Sequence, residues 1–390
     1  MKVYIAFIIL CRLLIQKTIS ADVEDAKLSY KQLATKYGHN TEEYQVTTED
    51  GYKLLLFRIP GRVGLPILLV HGIMDSSDTW IIRGNVSLAI TLANQGYDVW
   101  TANCRGNKYS KHHVHLKPDS SRYWNFSFHE HGLYDLPAII DTVLKQTKAV
   151  KLNAIAHSQG NTIFYVLCST RPEYNDRVNI LISLAPVAFL NNVRQPIRSL
   201  IKSAPLINSI LNKLNIDKVF AEPNIKVRKF CTRPIVGYIG CAHTILFPLL
   251  GYNSEELEPG FAQIVAGHVP TGTSRKNLYH FAQVGMRRKF VQYDYGTYGN
   301  LQKYNRLSPP SYNLSSVTTK VALYVGANDK VSTVEDVEQL RRKLPNVVKF
   351  LVVGDRKMAH ADFVWGRRMN EYLFPHIFKV LQKYENHEKT

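Results

Sequence analysis

Cysteine is scarce in this chain, with five among 390 residues. A disulfide-rich scaffold is thereby excluded, and a chain of this length can bury a core without one. Outside the N-terminal stretch that contains Cys11, four cysteines allow three pairings. Because Cys231 and Cys241 are close in sequence, a small disulfide loop between them is the leading expectation. Cys104 and Cys168 lie in apolar surroundings, which favour buried free thiols.

Long apolar runs are also lacking. No stretch beyond the N-terminus reaches the roughly 18 apolar residues that a membrane-spanning helix requires. At the N-terminus, Lys2 precedes an apolar run over residues 3–10, and the small residues Ser20 and Ala21 follow. This pattern predicts a signal peptide over residues 1–21 and a secreted or luminal protein.

Three Asn-x-Ser sequons agree with the secretory route and predict N-glycosylation at Asn85, Asn125 and Asn313. Chance supplies a few such tripeptides in any long chain, so their weight comes from the agreement with the leader.

Acidic residues are few, 31 against 49 lysines and arginines, which gives a formal charge of +18. This excess favours attraction to anionic interfaces such as phospholipid surfaces, with solubility as the plainer explanation. The leader argues against nucleic-acid binding. Phosphate-binding loops and dinucleotide fingerprints are absent, and His112, His113 and His115 lack the Cys or acidic companions of a metal site. We expect a solvated loop there, and no metal or cofactor.

Segments typical of strands alternate with helical patterns and predict an α/β fold, with a mostly parallel sheet covered by helices on both faces. The alternation breaks over about 186–308, where a helix-rich stretch predicts a cap and lid insertion into a core of residues 22–185 and 309–390. Residues 200–214 within it form a basic amphipathic pattern, typical of a packed cap helix or of a lid on a lipid interface. The predicted strands cover 44–48, 53–59, 66–71, 97–101, 151–156, 179–185, 320–325 and 347–353.

Ser158 is the candidate nucleophile. It lies in Ala156-His157-Ser158-Gln159-Gly160, after a predicted strand and before a helix predicted over 160–169. This strand–turn–helix context is that of the nucleophile elbow of α/β-hydrolases, which needs small residues two positions away on each side. Gly160 meets this need, and Ala156 is a departure by one methyl group. A helix-capping serine is the alternative.

The partners of Ser158 should follow in the order acid and then histidine. Asp329 follows the strand at 320–325, and His360 follows the last strand. We expect Asp362, the rival acid, to cap the final helix instead. Backbone N–H groups of Gln159 and Ile73 are the candidates for an oxyanion hole.

Two further histidines lie next to these candidates. His71 precedes the elbow along the chain, so we expect it to position the loop of Ile73 rather than act as a base. We expect His157 to pack beside the site or to orient it.

A series of motifs in order along the chain resembles the acid lipase family. They include His71-Gly-Ile-Met-Asp-Ser-Ser77, Asn103-Cys-Arg-Gly-Asn107, His157-Ser-Gln-Gly160, Gly272-Thr-Ser274 with Lys276-Asn277, and His360-Ala-Asp-Phe-Val-Trp-Gly366. The resemblance implies an α/β-hydrolase fold with Ser158 as nucleophile, Asp329 as acid, His360 as base, and Ile73 and Gln159 at the oxyanion hole. It also implies a Cys231–Cys241 disulfide in the cap and no cofactor.

The implied function is hydrolysis of triacylglycerol and sterol esters at a lipid–water interface, outside the cell or in the lysosome, with contact to membranes or droplets. The alternative is a lipid-binding or transport protein on a lipase scaffold that does not turn over. A hydrolase for other esters is a third hypothesis. The sequence leaves the oligomeric state open.

Overall fold

The computed structural model describes residues 24–221, 225–354 and 357–385. The predicted signal peptide lies outside these residues. A central sheet contains the strands β1 (Glu42–Thr47), β2 (Tyr52–Ile59), β3 (Val63–Val70), β4 (Tyr97–Thr101), β5 (His112–His113), β6 (Leu152–His157), β7 (Val178–Leu184), β10 (Lys320–Gly326) and β11 (Val347–Val353). Their order in the sheet is β1-β2-β4-β3-β6-β7-β10-β11, and β5 pairs with β2 at its side.

In the order of the sheet, the neighbours β4-β3-β6-β7-β10-β11 all pair in parallel. The strand β2 runs antiparallel to β1, β4 and β5. The mostly parallel sheet that the sequence predicts is thus confirmed. Every residue of β6 and of β7 is buried, because helices cover both faces of the sheet. Two clusters of buried apolar residues form the core. Within β6, Ala154 and Ala156 belong to the first core cluster and Ile155 belongs to the second.

The helices of the core pack on the two faces of the sheet. The helices over residues 30–36 and 88–94 pack on the face that forms the second core cluster. The core helices are α1 (Tyr30–Lys36), α2 (Leu88–Asn94), α3 (Phe128–Glu130), α4 (Leu136–Thr147), α5 (Gln159–Thr170), α12 (Val334–Arg341), α13 (Asp362–Trp365), α14 (Met369–Tyr372) and α15 (Phe374–Glu385). A π-helical turn, His131–Asp135, joins α3 to α4.

The stretch between β7 and β10 differs from the sheet and is mostly helical; residues 186–308 of it are called the insertion below. A helix forms where the sequence has its basic amphipathic pattern. The insertion comprises α6 (Ile197–Lys213), α7 (Ile225–Cys231), a π-helix (Tyr238–Leu246), α8 (Phe247–Leu250), α9 (Pro259–His268), α10 (Arg275–Arg287), α11 (Gly296–Tyr304) and the paired short strands β8 (Lys218–Val219) and β9 (Thr273–Ser274).

Two cysteines of the insertion, Cys231 and Cys241, are joined by a disulfide bond. Cys104 and Cys168 are free and buried, as expected. Cys168 lies on α5 among the apolar side chains of the first core cluster.

The histidine cluster is exposed at His112 and His115, as expected, but it is not wholly a loop as the sequence predicts. His112 and His113 form β5 at the side of β2, and the ring of His113 meets the ring of Tyr52 edge-on at 4.7 Å. Nε2 of His113 donates to the carbonyl of Asp50 at 2.8 Å, while Nδ1 accepts from the N–H of His115 at 2.9 Å. The hydrogen bonds that tie this ring to the hairpin account for the ordered strand.

Candidate active site

The strand β6 ends at His157 and the helix α5 begins at Gln159, so Ser158 alone makes the turn between them. Its backbone has φ 51° and ψ −117°, a conformation that an L-residue keeps only where its surroundings hold it. The N–H of Ser158 donates to the carbonyl of Leu184 at 3.1 Å. The sharp turn thus presents the serine at the carboxyl edge of the parallel strands, where ligands of open α/β sheets bind.

The two small neighbours of Ser158 are constrained to different degrees. A Cβ atom on Gly160 would lie 2.5 Å from the carbonyl oxygen of Val70, a backbone atom that cannot move aside. Ala156 is fully buried in the first core cluster, and its carbonyl accepts from Asn161 Nδ2 at 3.0 Å. The methyl group of Ala156 therefore has a place in the core, and the turn keeps its conformation beside it.

Ser158, His360 and Asp329 lie together although they come from three distant parts of the chain. Nε2 of His360 is 2.9 Å from Oγ of Ser158, and Nδ1 is 2.7 Å from Oδ2 of Asp329. A carboxylate only accepts, so Nδ1 carries the proton and Nε2 is free to accept from the serine hydroxyl. All three residues are 5% exposed or less.

The carboxylate of Asp329 is itself held by the loop after β10. Its Oδ1 accepts from the N–H groups of Val331 and Ser332, both at 2.8 Å. These bonds leave Oδ2 directed at His360. The arrangement can take a proton from a serine hydroxyl and stabilise the imidazolium that results.

Main-chain contacts fix the position of His360 as well. Its N–H donates to the carbonyl of Leu250 in the insertion at 3.0 Å. Its carbonyl accepts from Nε2 of His157, also at 3.0 Å. Burial, followed by the neighbouring His360, lowers the pKa of His157 to about 3, so this ring is neutral at ordinary pH.

Asp362 does not cap the final helix, contrary to the expectation from sequence. The final helix is α15, whereas Asp362 is the first residue of the short α13. Its Oδ2 accepts from the N–H of Ala359 at 2.8 Å and from Nδ2 of Asn253 at 2.7 Å. Burial raises the pKa of Asp362 to about 7. The side chain therefore ties the loop of His360 to the insertion.

The two candidate oxyanion donors belong to separate elements of the fold. Gln159 is the first residue of α5, and Ile73 lies in the loop after β3. Within the described ranges, neither backbone N–H donates to a protein acceptor. A helix N-terminus with a free N–H favours negative charge, as an oxyanion requires.

His71 holds the loop of Ile73 in place. Its Nδ1 donates to the carbonyl of Gly72 at 2.7 Å, and its Nε2 accepts from the N–H of Cys104 at 3.2 Å. Burial lowers the pKa of His71 to about 4, which keeps the ring neutral. Its contacts are those of a positioning residue.

Three polar side chains for which the sequence predicts no role also lie at the site. Asn253 bonds to Asp362, Thr271 bonds to the loop of Ile73, and Asn277 bonds to the side chain of Gln159. Thr271 directly precedes, and Asn277 ends, the motif at 272–277, so the motif itself was the only available signal. In the described part of the chain, no cluster of three or more His, Cys, Asp or Glu side chains could hold a metal ion.

Comparison with known proteins places the chain in a class. The model for the alpha/beta hydrolase fold matches residues 66–203, and the model for the partial alpha/beta-hydrolase lipase region matches residues 30–84. Among solved structures, a soluble variant of monoglyceride lipase from Saccharomyces cerevisiae aligns with a TM-score of 0.53 at 17% identity, over 89% of this chain and 94% of that one. The fold is therefore that of the α/β-hydrolases.

Curated relatives narrow the class. Lipase 1 of Drosophila melanogaster is 38% identical over 92% of this chain and 81% of its own length. The gastric triacylglycerol lipase of Mus musculus is 33% identical over 92% of both chains. The chain belongs to the acid lipase family, as its motifs indicate, and it is an ester-hydrolysing lipase.

Proposed function

We propose that this lipase hydrolyses neutral-lipid esters, triacylglycerols and sterol esters, with Ser158 as nucleophile, His360 as base and Asp329 as its orienting acid. The observation that carries the proposal is the chain of hydrogen bonds from Asp329 through His360 to Ser158, at 2.7 and 2.9 Å. The relatives named as triacylglycerol lipases support the substrate class.

In the proposed reaction, Oγ of Ser158 attacks the ester carbonyl carbon while Nε2 of His360 takes its proton. The carbonyl oxygen becomes an oxyanion that accepts from the N–H groups of Ile73 and Gln159. Its collapse breaks the ester C–O bond, and the alkoxide leaves as an alcohol with the proton from His360. Water then attacks the acyl carbon while Nε2 of His360 takes a proton from it. Collapse of this second intermediate breaks the bond between the acyl carbon and Oγ of Ser158, His360 returns the proton to Oγ, and the fatty acid leaves. Asp329 stabilises the imidazolium in both halves.

The insertion has the surface that a cap and lid at a lipid interface would need. Many of its large apolar side chains are exposed, with Leu206 at 66% and Leu214 at 62%. Lysine and arginine residues lie among these apolar residues on α6 and α7. Monomeric proteins rarely expose large contiguous apolar patches without a function. Over residues 200–245, the exposed large apolar residues are Leu200, Leu206, Ile207, Ile210, Leu214, Ile216, Phe220, Ile225, Val227, Phe230, Ile235, Val236, Ile239 and Ile245.

The same proposal places the enzyme on the secretory route, outside the cell or in the lysosome. Asn85, Asn125 and Asn313, the predicted glycosylation sites, are all exposed. In the described ranges, no helix combines the length and the apolar character of a membrane span.

Replacement of the nucleophile tests the proposal. Ser158→Ala should lower kcat on a short-chain ester by about 10⁴-fold or more, because the covalent step is lost, and should abolish labelling by a fluorophosphonate. Ser169→Ala is the matched control, since Ser169 lies on the same helix and bonds only to the carbonyl of Val166. Retained activity in folded Ser158→Ala would sink the assignment, and absence of labelling in the folded wild type would favour the lipid-binding alternative. Rates on triolein and cholesteryl oleate between about pH 4 and 8 then decide the preferred ester.

A further inference from the structure

The two proposed oxyanion donors belong to separate elements. Ile73 lies in the loop after β3, whereas Gln159 begins α5 after β6. Stabilisation of an oxyanion requires both N–H groups to lie within hydrogen-bond distance of one oxygen atom, so their separation has to be held closely.

One short segment of the insertion bonds to both elements. At its beginning, the N–H of Thr271 donates to the carbonyl of Met74 at 2.8 Å, and its Oγ1 donates to the carbonyl of Asp75 at 2.7 Å. Met74, the neighbour of Ile73, has a left-handed backbone with φ 56°. The two bonds from Thr271 therefore act on the residues that set the direction of the Ile73 loop.

At the other end of the segment, Nδ2 of Asn277 donates to Oε1 of Gln159 at 2.7 Å and to Oγ1 of Thr273 at 3.0 Å. The N–H of Asn277 donates to Oγ of Ser274 at 2.9 Å. Asn277 is fully buried, so no water competes for these bonds. The amide of Gln159 is held in turn from the core side by His131, whose Nδ1 lies 3.4 Å from Gln159 Nε2.

The segment itself is seated on the core at a close approach. A Cβ atom on Gly272 would lie 2.4 Å from the carbonyl oxygen of Gly106 and 2.9 Å from Cα of Ala221. The hydroxyl of Ser274 donates to the carbonyl of Phe126. These contacts at Gly272 and Ser274 fix the position of the segment between Thr271 and Asn277.

We propose that residues 271–277 form a clamp that sets the distance between the two oxyanion donors, with Thr271 and Asn277 as positioning residues. The inference rests on the proposed function, since it concerns the same site. It makes the geometry of the oxyanion hole depend on a part of the insertion and not on the sheet alone.

The test compares Thr271→Val and Asn277→Ala with two matched controls. Thr319→Val removes a buried threonine hydroxyl bond, to the carbonyl of Val178 at 2.8 Å, at a distant part of the core. Asn300→Ala removes a buried asparagine of the insertion whose Nδ2 bonds to Asp294 at 2.7 Å, away from both loops. Each control loses a comparable buried bond, so it reports the purely structural effect.

We expect Thr271→Val and Asn277→Ala each to lower kcat on a soluble ester about tenfold, with KM within about twofold, because a displaced donor weakens the transition state and not substrate binding. Affinity for a trifluoromethyl ketone, which forms a tetrahedral oxyanion on the serine, should fall by a similar factor. The two controls should lower the unfolding temperature as much as Thr271→Val and Asn277→Ala do, but their kcat should remain that of the wild type. Thr271→Ser, which retains the hydroxyl, should restore kcat.

The double variant Thr271→Val with Asn277→Ala should lose less than the product of the two single losses, since both changes disturb one geometry. If Asn277→Ala does not fold, Asn277→Ser with its smaller loss of packing gives the same comparison. A kcat within twofold of wild type in the folded variants, or no larger loss than in the controls, would overturn the clamp. An inactive wild type would instead overturn the proposed function.

Discussion

The strands that carry the site and the helix α6 of the insertion treat apolar side chains in opposite ways. Every residue of β6 is buried, whereas only Ile201 is buried among the 17 residues of α6. In β6 the apolar side chains hold the sheet to its helices. In α6, by contrast, Leu200, Leu206, Ile207 and Ile210 are exposed, and we propose that a lipid surface covers them.

This difference separates two kinds of dependence on substrate. Changes in the core should affect the reaction with any ester, because they act at the reacting atoms. Changes on the exposed face of the insertion should affect only esters that are presented at a lipid surface. A soluble short-chain ester and an emulsified triacylglycerol, assayed side by side, therefore distinguish the two regions.

Among the changes that test this division between the two regions, Asp329→Asn is expected to have the largest effect. An amide keeps the shape and can still accept from Val331 and Ser332, but it no longer stabilises the imidazolium of His360. We expect kcat to fall about 10³- to 10⁴-fold on both esters alike, with little change in unfolding temperature. Stopped assays on purified protein would measure it. A loss confined to emulsified substrate would contradict the division between the regions.

Removal of the disulfide, by Cys231→Ser with Cys241→Ser, should have the next largest effect. The bond closes a loop with a sequence separation of 10 residues, and such loops stabilise by about 2–3 kcal/mol. We expect α7 and the π-helix to become susceptible to proteolysis while activity on the soluble ester remains. Calorimetry with limited proteolysis would measure this. Equal loss on both esters would show that the core depends on this bond.

Acid should weaken the contact between insertion and core at His280. Its Nδ1 bonds to Ser127 of the core and its Nε2 to the carbonyl of Val291, and burial lowers its pKa to about 3. The unfolded pKa is about 6.5, so the unfolded state binds the proton first and stability is lost as the pH falls below 6.5. Glu130 opposes this shift, whereas His129 and Lys276 add to it.

His280→Gln should therefore flatten the acid loss of unfolding free energy, by up to about 1.4 kcal/mol per pH unit below pH 6.5. Denaturant titrations between about pH 4 and 7 would measure the slope. His71, His131 and His157, whose pKa values are also lowered by burial, act in the same direction as His280. Asp75 and Asp362, with pKa values raised to about 7, act oppositely. The wild type and His280→Gln share all of these other groups. If the unfolding free energies of the two proteins change with pH in parallel, the assignment to His280 is contradicted.

The smallest effect is expected at the exposed face of α6. Leu206→Ser should change stability by about 0.5 kcal/mol or less. It should weaken partition onto triolein emulsions up to about tenfold, because one leucine gains roughly 1.5 kcal/mol on burial. Val150→Ser is the control, since Val150 is 79% exposed on the core. Equal effects of the two changes on partition would remove α6 from the proposed interface.

Much of the fold could be predicted from the sequence, because a sheet covered on both faces leaves continuous apolar runs. The strands at 66–71 and 151–156 are such runs, and both are buried strands in the structure. β5 was missed because two histidines carry no strand signal. Its order comes from the bonds of His113 to the hairpin, which only the folded chain brings together.

The candidate site divides in the same way. Ser158, Asp329 and His360 could be selected because chain order and strand ends constrain them. The contacts of Asp362 could not, since its partner Asn253 lies more than a hundred residues away in the insertion. The motif at 272–277 marks the positions of Thr271 and Asn277, but it does not show which loops their side chains reach, because the elements they bond to are distant along the chain.

Two hydrogen bonds tie residues 250–252 of the insertion to the loops that carry His360 and Asp329. The carbonyl of Leu250 accepts from the N–H of His360, and the carbonyl of Tyr252 accepts from Asn328 Nδ2 at 2.8 Å. Between them, a Cβ atom on Gly251 would lie 2.4 Å from the carbonyl oxygen of Asn328. An insertion that lifted as one rigid body would detach the loops of the acid and the base just as substrate arrived. The bonds of Leu250 and Tyr252 therefore hold the loops of His360 and Asp329 only while this part of the insertion stays in place.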